Sequence, residues 1–98
     1  MAVPLEVDFA VVPGLVGSWV LLRVRNPARR YLVVTSNSSG TDWYVWPQNA
    51  GSVAGWGPAE GTNQVTIHRA VYGELAGFDW YVYATFATTF YVIDAYDT

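Results

Sequence analysis

Phe78-Asp79-Trp80-Tyr81-Val82-Tyr83-Ala84-Thr85-Phe86-Ala87-Thr88-Thr89-Phe90-Tyr91-Val92-Ile93-Asp94-Ala95-Tyr96 runs for 19 residues without a glycine or a proline. Its β-branched and aromatic side chains fit a pleated, half-buried surface. One strand of that length would exceed the usual range of about 3 to 10 residues, so the stretch breaks once. The weakest β segment is Ala84 to Thr88, which places a bend or an irregular hairpin there.

The start of this stretch has a partner. Gly77-Phe78-Asp79-Trp80-Tyr81-Val82 matches Gly40-Thr41-Asp42-Trp43-Tyr44-Val45 at five of six positions, 37 residues apart. The pair reads as one hairpin used twice, related across two sheets. Glycine and aspartate set the turn, the aspartate accepting backbone N–H bonds, while alternate Trp and Val positions fill a core. The functional alternative is a duplicated ligand site with Asp and Trp in each copy. Propellers and solenoids need at least ~3 copies, so the repeat leaves the fold class unchanged.

Toward the N-terminus, Leu5 to Val11 alternates apolar and polar residues with period 2, predicting a strand with its apolar face on the core. Pro13-Gly14 ends it. Ser18 to Arg25 puts Val20, Leu22 and Val24 on one face and Trp19, Leu21, Arg23 and Arg25 on the other. Asn26-Pro27-Ala28-Arg29 then fits a type I turn, predicting a hairpin with Arg30 to Thr35 as its return strand. Ser36 to Gly40 is a turn, and Asp42 to Trp46 is a short aromatic strand closed by Pro47. From Pro47 to Thr62 no strand pattern holds, and four glycines with Pro58 make a 16-residue loop. Loops beyond ~12 to 15 residues tend to be functional or disordered. Asn63 to Tyr72 alternates again, Gly73 to Gly77 is a turn, and no window has helical period. The fold class is all-β: a single antiparallel β-sandwich of about seven strands, resembling immunoglobulin-like or jelly-roll-like domains in strand count, with one long Gly-rich loop. Residues 1–98 form one domain, and 1–12 is a strand able to extend onto a neighbour or be exchanged with one.

Composition narrows the function classes. Of 98 residues, 52% are hydrophobic and 13% charged, so the chain is neither a tail nor a linker. There is no cysteine and no lysine, which removes disulfides, thiol nucleophiles, Schiff-base lysines and Cys-rich zinc sites. The formal charge is -3, and four of the five cations, Arg23, Arg25, Arg29 and Arg30, fall within eight positions, leaving an acidic remainder that would repel a phosphate backbone. Nucleic acid is therefore disfavoured as a partner. The uncharged run from Phe9 to Leu22 is 14 residues long and interrupted by Pro13, Gly14 and Gly17, short of the ~20 that a membrane-spanning helix needs. No signal peptide is legible, since the first residues lack a basic region.

No catalytic constellation emerges. His68 is the lone imidazole and reads as a mid-strand surface residue, no G-x-S-x-G elbow surrounds any serine, and Glu60 and Glu74 lack a cleft. No metal cluster and no cofactor site is predicted; Asp94 and Asp97 alone are too few. Trp56, flanked by Gly55 and Gly57, is either a loop anchor or a group offered to a partner, and tryptophan is enriched at interface hot spots. Trp46 and Tyr44 could join it in stacking a sugar ring. The arginines Arg23, Arg25, Arg29 and Arg30 form a solvated hairpin tip or a basic patch meeting an acidic one on an identical subunit. Asn37-Ser38-Ser39 satisfies the N-x-S/T glycosylation pattern.

These features predict a non-enzymatic structural or assembly subunit: a small virion component (decoration, minor capsid or tail protein) or an extracellular filament subunit, self-associating through aromatic and edge-strand contacts. The alternative is a carbohydrate-binding module or lectin that presents exposed Trp and Tyr to a glycan. The expected setting is a virion or the extracellular space, and the expected partner a further copy of the chain.

Overall fold

Seven strands form two antiparallel sheets in a computed structural model that describes residues 5–38, 42–47 and 63–98. In chain order they are β1 (Leu5–Pro13), β2 (Trp19–Arg23), β3 (Arg29–Ser36), β4 (Trp43–Pro47), β5 (Gln64–His68), β6 (Trp80–Ala84) and β7 (Thr89–Asp97). A one-turn helix α1 (Arg69–Tyr72) and a 3-10 turn (Gly73–Gly77) lie between β5 and β6. One sheet has the order β1-β7-β3-β5 and the other β2-β6-β4, so the chain changes sheet at every connection. The expected β-sandwich is therefore present.

Its winding is more specific than strand count could indicate. β1 pairs with β7, β2 with β6 and β3 with β5, all antiparallel, with β4 at the point of return beside β6. The chain is one long hairpin, doubled back near β4 and rolled up, which is the jelly-roll arrangement rather than the immunoglobulin one. Among the described residues, no two consecutive strands pair. The hairpin predicted at Asn26-Pro27-Ala28-Arg29 is thus a crossing between sheets. The turn itself forms, with Arg29 N–H donating to Asn26 O at 3.0 Å and Ala28 N–H to Asn26 Oδ1 at 3.0 Å. A turn of this kind reverses the chain whether or not its arms stay in one sheet. Likewise the break predicted at Ala84 to Thr88 exists, but it passes from β6 in one sheet to β7 in the other.

The two copies of the repeated motif are β4 and β6, and they lie side by side in the same sheet rather than across the sandwich. Tyr44 faces Tyr83, Val45 faces Val82 and Trp46 faces Tyr81. Trp43, Val45, Trp80 and Val82 are buried, as the alternation predicts. They pack against Leu32 and Val34 of β3, Ile67 of β5 and Phe90 and Val92 of β7. Trp43 meets Phe90 edge-on at 5.1 Å between ring centroids, a favourable aromatic geometry.

The β5 reading needs one correction. The strand ends at His68, and the predicted extension to Tyr72 is α1, capped by the His68 side chain, whose Nδ1 accepts the Ala70 N–H at 3.1 Å. Four residues are too few to leave a helical period in the sequence. The following 3-10 turn presses against the 26–27 turn: Gly77 O accepts the Asn26 N–H at 2.8 Å, and a Cβ on Gly77 would lie 2.8 Å from Asn26 O. Glycine is required here for close approach.

Candidate interaction site

The N-terminal strand shows the largest departure from the sequence reading. Leu5, Val7, Phe9 and Val11, predicted to face the core, point outward and are 42, 41, 77 and 64% exposed. The opposite set, containing Asp8, Ala10 and Val12, points in, and Ala10 and Val12 pack on the core. In β strands a change of one residue in register exchanges the faces completely. From Phe9 to Val12 all four residues are apolar, so either face could pack there, and the choice falls to Asp8.

Asp8 is held by groups on two other strands. Its Oδ2 accepts the Tyr96 hydroxyl at 3.0 Å and lies 3.4 Å from Arg23 Nη2. Arg23 also donates from Nε to Asp94 Oδ2 at 3.0 Å. Asp94 in turn pairs with Arg29, whose Nε reaches Oδ1 at 2.8 Å. The chain of contacts Tyr96, Asp8, Arg23, Asp94, Arg29 crosses both sheets. The Asp8 carboxylate, by accepting the phenolic hydrogen, raises the pKa of Tyr96 above its ordinary value of 10.0, with burial and then the charges of Asp8, Glu6 and Asp94 adding to the effect.

Arg29 is the most enclosed member, with no exposed surface. Its five N–H donors meet five contacts: Asp94 Oδ1 and Oδ2, and the carbonyls of Ala76, Phe78 and Val24 at 3.0, 2.8 and 2.7 Å. Arg29 therefore belongs to the interior and not to an interface. Arg23 is spent on Asp8 and Asp94, and Arg30 lies 3.5 Å from Asp97, which Arg69 also approaches at 3.0 Å. The clustered arginines are thus mostly internal ties. Arg25 remains at the surface, where its backbone N–H donates to Asp79 Oδ1 and its side chain lines a cleft of about 250 Å³ with Pro27, Glu74, Gly77 and Phe78.

Tyr44 and Trp46 fall on the outer face of the β2-β6-β4 sheet. Cross-strand pairing aligns Trp19, Tyr83 and Tyr44 in one row and Leu21, Tyr81 and Trp46 in the next. Trp19 and Tyr83 are in contact, with ring centroids 5.4 Å apart. Neither row carries a charge. Trp19, Tyr81 and Tyr83 were not singled out from the sequence, although the alternation that buries Trp80 and Val82 sends their neighbours outward. Trp56 lies outside the described residues. Asn37 is exposed after β3, and its Oδ1 accepts from Thr88 Oγ1 at 2.8 Å and Thr89 N–H at 3.1 Å, fastening the turn to the start of β7.

The outward side chains of β1 adjoin exposed Tyr91 and half-buried Ile93 on β7, because Val11 pairs with Tyr91 and Phe9 with Ile93. The result is a continuous apolar stripe along the edge of the larger sheet. A soluble monomer seldom presents an apolar patch of this kind without a use for it. Among the described residues, no group of three or more His, Cys, Asp or Glu side chains could hold a metal ion, and no helix is long and apolar enough to cross a membrane. Compared with protein-family models, curated proteins and solved structures, the chain matches none.

Proposed function

We propose that the chain is a non-enzymatic structural subunit that self-associates, of the kind that builds a virion or an extracellular filament. The observation that carries this reading is the inversion of β1, which turns Asp8 inward and leaves Leu5, Val7, Phe9 and Val11 outside. The ion network stabilises a strand whose apolar face is on the wrong side for a monomer. Shielding part of that face against a neighbour would recover a share of the roughly 1.5 to 3 kcal/mol that complete burial of each large apolar side chain yields. Sedimentation velocity tests the reading. The wild type is expected to associate with rising concentration, and Phe9→Thr and Val11→Thr to weaken association with little change in urea midpoint. A chain that stays monomeric at about millimolar concentration, where even an interface worth ~4 kcal/mol populates dimers, sinks the proposal.

A second reading rests on a different surface. The two rows on the β2-β6-β4 face place five aromatic rings together, as a glycan platform would require. Loss of retention on immobilised polysaccharide in Trp19→Ala or Tyr81→Ala, with β1 variants unaffected, would favour this reading over self-association.

A further inference from the structure

The open edge of β1 has a definite hydrogen-bonding pattern. Gly14 N–H donates to Thr88 O at 3.0 Å, in line with the β1–β7 register, in which Pro13 faces Thr89 and Val12 faces Phe90. In an antiparallel ladder, hydrogen-bonded and non-hydrogen-bonded pairs alternate. The even-numbered residues of β1 therefore bond toward β7, while the odd-numbered residues, Leu5, Val7, Phe9, Val11 and Pro13, turn their N–H and C=O groups to the free edge. Pro13 has no N–H to lose there, which is where a strand tolerates proline. Among the described residues, no strand pairs with this edge. The strand pairs with β7 over nine consecutive residues without a bulge, and the chain has no lysine with which to blunt it. Of the devices that protect natural edges, β1 carries the terminal Pro13 and the charges of Glu6 and Asp8, which restrict the registers open to a partner without closing the edge.

We infer that two copies of the chain join through antiparallel pairing of their β1 strands about a two-fold axis at Phe9, giving a continuous eight-stranded sheet. This inference rests on the self-association proposed above and names its partner and register. Pairing at the free edge requires odd residues to face odd residues, which leaves few registers. An axis at Asp8 would set two Asp8 carboxylates opposite each other, and an axis at Val7 would set Glu6 opposite Asp8; like charges directly opposite destabilise a sheet. With the axis at Phe9, Asp8 faces Ala10, Glu6 faces Val12, Val7 faces Val11 and Phe9 faces its own counterpart. The two apolar stripes then become adjacent rows of one surface, in which cross-strand contacts such as Val7 with Val11 shield the flanks of these side chains and leave the outer face of the joined stripe open. An axis at Ala10 also avoids facing carboxylates, but it pairs fewer of the outward residues. Isologous pairing of this kind needs nothing beyond a second identical edge.

The absence of cysteine makes the register directly testable, because every introduced thiol is unique. With the axis at Phe9, Val7→Cys on one copy lies opposite Val11→Cys on the other. Paired positions across a ladder are about 5.5 Å apart at Cα, within disulfide range. Two Val11→Cys chains alone would hold their thiols about 13 Å apart along the strand, out of range. Mixing the Val7→Cys and Val11→Cys proteins under mild oxidation is expected to give about tenfold more disulfide dimer than Val11→Cys alone or than Val71→Cys, an exposed control on α1. Phe9→Cys is expected to cross-link to itself. If the wild type associates in sedimentation but the mixed pair gives no excess of cross-link, the register is overturned and self-association stands. If the wild type does not associate at all, both fall.

Discussion

Arg29 and Asp94 form a bidentate ion pair inside the sandwich, with Nε to Oδ1 at 2.8 Å and Nη2 to Oδ2 at 3.3 Å, both residues almost wholly shielded from water. Burying two charges is costly, and here the cost is offset by the three carbonyls that fill the remaining guanidinium donors. Removing Arg29 leaves the buried Asp94 carboxylate with Arg23 as its remaining cation and three carbonyls without the guanidinium, and removing Asp94 leaves Arg29 with carbonyls alone. Arg29→Met is expected to lower unfolding free energy by about 3 to 5 kcal/mol in urea titration. Arg29→Lys should not restore it, since an ammonium has three donors and no planar fork. The double variant Arg29→Met/Asp94→Leu should remain at least about 2 kcal/mol below wild type, because the carbonyls of Val24 and Phe78 lose the guanidinium, Ala76 keeps only Trp80, and Arg23 keeps only Asp8.

Tyr96 gives the network a pH signature. Its hydroxyl donates to Asp8, and its pKa is raised relative to the unfolded chain. Below pH ~10 the phenol is neutral in both states and its contribution is fully present. As pH rises through the folded-state value, the unfolded chain loses the proton first, and stability falls. The urea midpoint of the wild type is expected to drop more steeply than that of Tyr96→Phe as pH rises above the ordinary tyrosine value of 10.0. Parallel curves would show that the hydrogen bond carries no stability.

The repeated motif yields an asymmetry. Trp80 Nε1 donates to the carbonyls of Leu75 and Ala76 at 3.0 and 3.2 Å, whereas Trp43 Nε1 is buried with no hydrogen-bond partner among the described residues. Both indoles leave a void when replaced by phenylalanine, but only Trp80→Phe also breaks a hydrogen bond, whereas Trp43→Phe relieves a buried N–H of its missing partner. Trp80→Phe is expected to cost about 1 to 2 kcal/mol more than Trp43→Phe in thermal or urea unfolding. Equal costs would contradict the assignment.

Two glycines separate crowding from backbone strain. Gly77→Ala would force a Cβ to 2.8 Å from Asn26 O and 3.1 Å from Pro27 Cα, and should cost about 1 to 3 kcal/mol. Gly73 has φ +60 and ψ -134 with nothing within 4 Å of a Cβ, outside the left-handed helical region, so Gly73→Ala should cost about 1 to 3 kcal/mol from conformation alone. Urea denaturation of each variant checks the two costs.

Local chemistry was legible in the sequence and pairing was not. Trp43, Val45, Trp80 and Val82 could be placed in the core because alternation within a strand is a local signal. The turn at Asn26-Pro27 could also be read, but the same turn serves a hairpin or a crossing between sheets, and the choice depends on Arg29 meeting a carboxylate 65 residues away. Alternation in β1 defined two faces and assigned the apolar one to the core, and the structure reverses the assignment because Asp8 finds Tyr96 at a separation of 88 residues. The outward apolar stripe, the centre of the functional reading, follows from that distant contact. Tyr44 and Trp46 were found as aromatic candidates, but their alignment with Trp19, Tyr81 and Tyr83 needed the strand order.

Residue-resolved amide hydrogen exchange on β1 at low and high protein concentration tests the central claim most directly. If copies meet at this edge, the amides of Leu5, Val7, Phe9 and Val11 exchange quickly when dilute and become protected as concentration rises. The even-numbered amides, already bonded to β7, change much less. Odd-numbered amides that exchange at the same fast rate at both concentrations would contradict it.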